Sequence, residues 1–149
     1  MKKTLLIILI IFIGIQFIRP DENMTAQPSK NDISVVSKVP SEIQEILKSS
    51  CYDCHSNNTA YPWYQKVAPI SWLIANHINE GKKHLNFSEW SQYNFNQKKH
   101  ILGEIEEVIE KNEMPLKSYL LMHHDGKITF QEREWLLEWV ALKKININR

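Results

Sequence analysis

The two cysteines of this chain lie in one short run, Cys51-Tyr52-Asp53-Cys54-His55, and with the adjacent histidine they stand at i, i+3 and i+4. Side chains at those spacings leave a helical turn from one side, so one planar ligand can meet all three. This is the pattern of covalent c-type haem attachment. Each thiol adds across a vinyl group to leave a thioether, and the neighbouring imidazole binds the iron from one face. Three other chemistries use the same residue types and fit less well. A redox-active CxxC pair belongs in a βαβ surrounding. A zinc site would join Cys51 and Cys54 to two further ligands such as His55, His84 or His100, but a second metal-spaced pair is absent. A disulfide across so short a gap leaves His55 unexplained.

The second axial position decides whether such an iron transfers electrons or binds small molecules. Met114 is the expected sixth ligand: it follows a helix, Pro115 restrains its loop, and a thioether favours ferrous iron and raises the potential. His123 is the alternative, with Met122 and His124 beside it in the same stretch. His55 should donate its other ring N–H to a backbone carbonyl, which fixes the ring and strengthens the ligand, and the loops at Pro62 and Pro69 are the expected sources. His77, among apolar residues, has only a secondary role, as a partner for a haem propionate.

The elements that must position these residues read as helices. Ser41 and Gln44 form a capping-box pattern, and Ile43, Ile46 and Leu47 recur at helical spacing up to Cys51. Ile70, Leu73, Ile74, His77 and Ile78 share the face of a second helix that Gly81 would stop. Ile101, Leu102, Ile105, Val108 and Ile109 mark a third helix, ending before Met114-Pro115. Thr129 and Glu132 open a fourth, with Leu136, Trp139 and Val140 on its inner face. Ahead of them Lys2 and Lys3 precede an apolar run from Leu5 to Ile18, closed by Arg19-Pro20. Residues 1–19 are expected to be a signal or uncleaved single-pass membrane helix with its N-terminus inside. Residues 20–39, with Pro20 and Pro28 and no helical apolar period, read as a flexible tether, and residues 40–146 as the haem-binding domain.

Composition narrows the class. With 149 residues there is room for one ordinary domain and an appendage. The 18 Lys and Arg nearly balance the 17 Asp and Glu, so the basic footprint of a nucleic-acid binder is missing. Only 4 Gly and few β-branched alternations argue against a sandwich or barrel. The expectation is an all-α, small cytochrome c-like helical domain around one covalent haem c, preceded by a single membrane helix.

On these residues the chain resembles the bacterial haem-binding domain family of small c-type cytochromes. The resemblance takes in Gln16-Phe17-Ile18-Arg19-Pro20, Cys51 to Ser56, Tyr61-Pro62-Trp63-Tyr64, Ser71-Trp72, His77, Gly81, and His84 through Trp90. It continues with Met114-Pro115, Tyr119, His123 and Trp139. It implies haem binding through Cys51, Cys54 and His55 and leaves the redox partner proteins unidentified. The resulting expectation is a one-electron carrier, not a substrate-transforming enzyme, held at the bacterial cytoplasmic membrane with its haem domain on the periplasmic or extracytoplasmic side. A haem sensor or peroxidase-like site with an open axial position, and a zinc-binding interaction module, are the alternatives.

Overall fold

The computed structural model describes residues 1–147, and among these every regular element is helical. The helices are α1 (Lys2–Ile15), α2 (Ile33–Val36), α3 (Ser41–Ser50), α4 (Tyr52–His55), α5 (Ile70–His84), α6 (Phe95–Glu110), α7 (Lys117–Leu120) and α8 (Phe130–Ile147). Three 3-10 turns, Trp63–Lys66, Phe87–Gln92 and His124–Gly126, join them.

Helical spacing delivers the core. Ile43, Ile46 and Leu47 of α3, Ile101, Leu102 and Ile109 of α6, and Leu136, Trp139 and Val140 of α8 are buried together with Phe87 and Trp90. The start of α8 is the capping box read from the sequence, with Thr129 N–H donating to the Glu132 carboxylate and Glu132 N–H to Thr129 Oγ1. At α3 the expected box is absent. Pro40 caps that helix, and the Gln44 side chain donates instead to the Val39 carbonyl at 2.9 Å. Asn94 and Gln97, unforeseen, form the reciprocal box that opens α6.

The N-terminal segment corrects the expected membrane helix and the placement that depended on it. Helix α1 holds 14 residues and rises about 21 Å at about 1.5 Å per residue, short of a hydrocarbon core of about 30 Å. No helix among the described residues is long and apolar enough to cross a membrane. The single-pass arrangement, and with it an extracytoplasmic location deduced from such an anchor, is therefore overturned. The apolar run is divided at Gln16, which caps α1 and binds the domain. Its side chain accepts from Ala68 N–H at 2.9 Å and donates to the Ala68 carbonyl at 3.1 Å. Trp72 Nε1 donates to the Ile18 carbonyl at 2.7 Å.

The stretch expected to be a tether is likewise packed at several points. Ile33 is fully buried, and the Asp32 carboxylate caps α2 while accepting from the Tyr52 hydroxyl at 2.8 Å. Asn23 ties this strap to the chain that follows the cysteines and to α5. Its amide donates to the Ser56 carbonyl at 2.8 Å and to Thr59 Oγ1 at 2.9 Å, and its oxygen accepts from Lys82 Nζ at 2.6 Å. Its backbone N–H donates to the Tyr61 hydroxyl at 2.7 Å, and its carbonyl accepts from Thr59 N–H at 3.0 Å. Extended, hydrogen-bonded attachment of this kind has no apolar period for sequence reasoning to find. Replacing Asn23 with Ala leaves three groups without this partner and should cost about 1–3 kcal/mol. A lowered urea midpoint at unchanged slope is the expected result.

Candidate functional site

The cysteine run forms a break and a turn. Cys51 has φ −127° and ψ −40°, which ends α3 and starts α4 on a new axis. Its carbonyl then accepts from both Cys54 N–H at 3.2 Å and His55 N–H at 2.9 Å, drawing the second thiol and the imidazole back toward the first. Both cysteines are free and partly buried. Burial pushes the Cys51 thiol up to about 12, with Cys54 beside it adding to the shift, and the Cys54 thiol up to about 11, with Asp53 adding. Redox-active CxxC pairs depend on a depressed thiol pKa. Here burial shifts both thiols in the opposite direction, away from that chemistry.

His55 Nδ1 donates to the Leu85 carbonyl at 3.1 Å. The expected orienting bond is present, but the loops at Pro62 and Pro69 do not supply it. Leu85 does, as the residue that caps α5. With the hydrogen on Nδ1, Nε2 keeps its lone pair for a metal, the usual orientation of a ligating histidine. The Asn86–Trp90 stretch builds the wall behind this ring. Phe87, 1% exposed, meets His55 edge-on at 6.5 Å and stacks on Tyr52 at 5.2 Å. Asn86 donates to the Asn57 side chain at 2.8 Å, while Asn57 N–H donates to Ser88 Oγ at 3.1 Å. These bonds tie the chain just after His55 to the segment carrying Leu85.

Gly81 does not stop α5, which runs on to His84. Its function is close approach: a Cβ there would stand 2.8 Å from the Cys54 carbonyl oxygen and 3.3 Å from the Cys54 Cβ. At 100° per residue, His77, Ile74 and Ile70 follow Gly81 along the same stripe. Beyond the contact with Cys54 that stripe is not fully covered, for Ile70 is 43% exposed and its neighbour Leu73 is 54% exposed. Trp63 on the adjoining turn is 77% exposed. A planar apolar group held at Cys54 would lie against an apolar helix face that otherwise meets water, so the residues present fit a haem. His77 is half-buried on that stripe.

The two expected sixth ligands are placed differently. Met114 lies in the link between α6 and α7 and is 37% exposed. His123 is partly buried and connected to the cysteine turn through Tyr119. Its ring stacks on Tyr119 at 4.0 Å, its Nδ1 lies 3.1 Å from the Tyr119 carbonyl, and the Tyr119 hydroxyl donates to Asp53 Oδ2 at 2.8 Å. Among the described residues no three His, Cys, Asp or Glu side chains stand where they could hold a metal ion, which removes the support for a zinc module. Sequence reasoning missed Asn23, Asp32, Asp53 and Tyr119. Only Asp32-Ile33-Ser34 carried a visible signal, an N-cap residue ahead of a helical turn.

Burial lowers the His55 pKa against the opposing effect of the Leu85 and Gly81 carbonyls, so the haem-free fold favours neutral imidazole. The unfolded chain protonates at the ordinary value of 6.5, and the contribution of His55 to stability is therefore present above that pH and lost as pH falls below it. Urea midpoints of the haem-free chain should fall between pH 7.5 and 5, and His55→Gln should flatten that dependence. An equal slope in the variant would contradict neutral burial of His55.

No curated protein and no solved structure matches this chain. Residues 10–142 match the family described as a haem-binding domain, a span that includes the strap, the cysteine turn, the Leu85 wall and α8 up to its last turns. A CxxCH turn with an oriented imidazole, an uncovered apolar helix face beside it and a family match over most of the length agree with one another, and the chain belongs to the haem-binding domain family.

Proposed function

We propose that this haem-binding chain carries its haem covalently through Cys51 and Cys54, with His55 as proximal iron ligand, and works as a one-electron carrier rather than a substrate-transforming enzyme. The observation that carries the reading is the His55 Nδ1 bond to the Leu85 carbonyl inside the CxxCH turn. It orients the imidazole for iron, beside two free thiols in the same turn.

Bound haem supplies reversible one-electron chemistry between ferrous and ferric iron. The chain's own residues do the rest. Cys51 and Cys54 hold the group to one turn, Leu85 and Phe87 fix the His55 ring, and the Ile70–His77 face excludes water from one flank. Rigid support of this kind keeps ligand geometry unchanged between oxidation states. Met114 is the proposed sixth ligand, with His123 the alternative, and electrons pass to redox partner proteins at an exposed edge of the group. The 37% exposure of Met114 favours one second reading, an open axial position suited to sensing or peroxidase-like chemistry.

The full chain, produced behind a cleavable export signal in a host with cytochrome c maturation machinery, should give a haem-staining band on a denaturing gel and the mass increment of one haem. Cys51→Ala with Cys54→Ala should abolish both. A colourless product from the unmodified chain would refute covalent attachment. With Met114 as ligand, the ferric protein should show a sulfur-to-iron charge-transfer band that Met114→Ala removes, and the ferrous protein should resist carbon monoxide. Ready carbon monoxide binding by the unmodified protein would favour the open site.

A further inference from the structure

Asp53, inside the cysteine run, is hydrogen-bonded on both carboxylate oxygens and on its carbonyl. Its Oδ1 accepts from Ala60 N–H at 2.9 Å, its carbonyl accepts from Thr59 Oγ1 at 2.6 Å, and its Oδ2 accepts from the Tyr119 hydroxyl at 2.8 Å. Tyr119 comes from α7, and its hydroxyl also lies 3.3 Å from the Ser49 carbonyl, one turn ahead of Asp53. At 100° per residue Asp53 leaves the turn roughly opposite to Cys51, Cys54 and His55. Tyr119 therefore holds the turn through the Asp53 carboxylate rather than through a thiol or the imidazole.

What Tyr119 brings with it is the segment that holds both expected sixth ligands. Met114 precedes it by five residues and His123 follows it by four. His123 is bound to Tyr119 twice, by ring stacking at 4.0 Å with an interplanar angle of 6° and by the Nδ1 contact to its carbonyl. Elsewhere the segment touches its surroundings through a longer 3.5 Å approach of His123 Nε2 to the Tyr64 hydroxyl and through packing of the His124–Gly126 turn on α3. We propose that the Tyr119–Asp53 hydrogen bond is the clasp that sets residues 114–123 against the haem-attachment turn, which makes Tyr119 a positioning residue for the sixth iron ligand. The inference rests on the haem reading above but not on whether methionine or histidine is the ligand.

Tyr119→Phe is the direct test, because it keeps the ring stacked on His123 and removes only the hydroxyl. In the haem-loaded full chain, the variant should convert part of the low-spin ferric spectrum to high spin. Its ferrous form should bind carbon monoxide about tenfold faster or more, the fold-change expected when a hydrogen bond to a charged group is lost. Asp53→Ala, which also removes the bond from Ala60 N–H, should shift the same spectra in the same direction, and the double variant should go no further than Asp53→Ala alone, since the Tyr119–Asp53 bond is already lost there. Unchanged spin state and carbon monoxide rate in Tyr119→Phe would overturn the clasp, even if melting temperature fell, because a merely structural contact would produce that result. A colourless unmodified chain overturns the haem reading and this inference with it. A coloured chain with unmoved variants overturns the clasp alone.

Discussion

A helix can lie against the backbone of Cys54 only at a position without a side chain, and Gly81 is that position in α5. This contact sets the register of the longest element beside the cysteine turn. Four residues further on, Leu85 ends the helix with its carbonyl directed to His55 Nδ1, and the following segment passes behind the imidazole as Phe87. In the other direction the same stripe leads through His77 and Ile74 to Ile70, away from Cys54 and toward solvent. One close approach thus fixes both the ring that would meet iron and the apolar face that would meet the porphyrin. Any side chain at residue 81 would push α5 outward and disturb both at once, because backbone on the α4 side cannot yield as a flexible side chain can.

A four-residue helix does not hold itself together, since nucleating a helical turn fixes several dihedral angles for each hydrogen bond gained. Helix α4 is held by residues that are distant in sequence. Asn23 binds the chain just after it, Asp32 binds Tyr52, Leu85 binds His55, and Tyr119 binds Asp53. Each such bond contributes about 1 kcal/mol net, but an unpaired buried partner costs more than that. The arrangement is consequently cooperative and stiff. Stiffness would suit the proposed ligand set, whose geometry must survive a change of iron charge, and much of the N-terminal stretch is committed to this turn of five residues.

The helical class and the inner faces of α3, α6 and α8 were legible because burial on one side of a helix leaves a periodic trace, as in Ile43, Ile46 and Leu47 or Leu136, Trp139 and Val140. The expectation placed on Cys51, Cys54 and His55 could be read because the three groups are local. The supports of that turn could not. Asn23 and Tyr119 act through polar bonds across long sequence separations, and an isolated polar residue gives no sign of its distant partner. The N-terminal run misled for a related reason. Hydropathy sees Leu5 to Ile18 as one apolar stretch, whereas the chain divides it between a 14-residue helix and a clasp formed by Gln16 and Ile18.

The sequence by itself determined which groups could meet a haem, since residue type and i, i+3, i+4 spacing set what one helical turn can present. It also determined that the scaffold would be helical, through the period of its apolar residues. Only the tertiary structure decided which carbonyl orients His55, which helix face stays open beside Cys54, and that the residues before Ser41 belong to the site. Those outcomes depend on long-range hydrogen bonds and on one glycine contact, and neither leaves a repeating pattern along the chain.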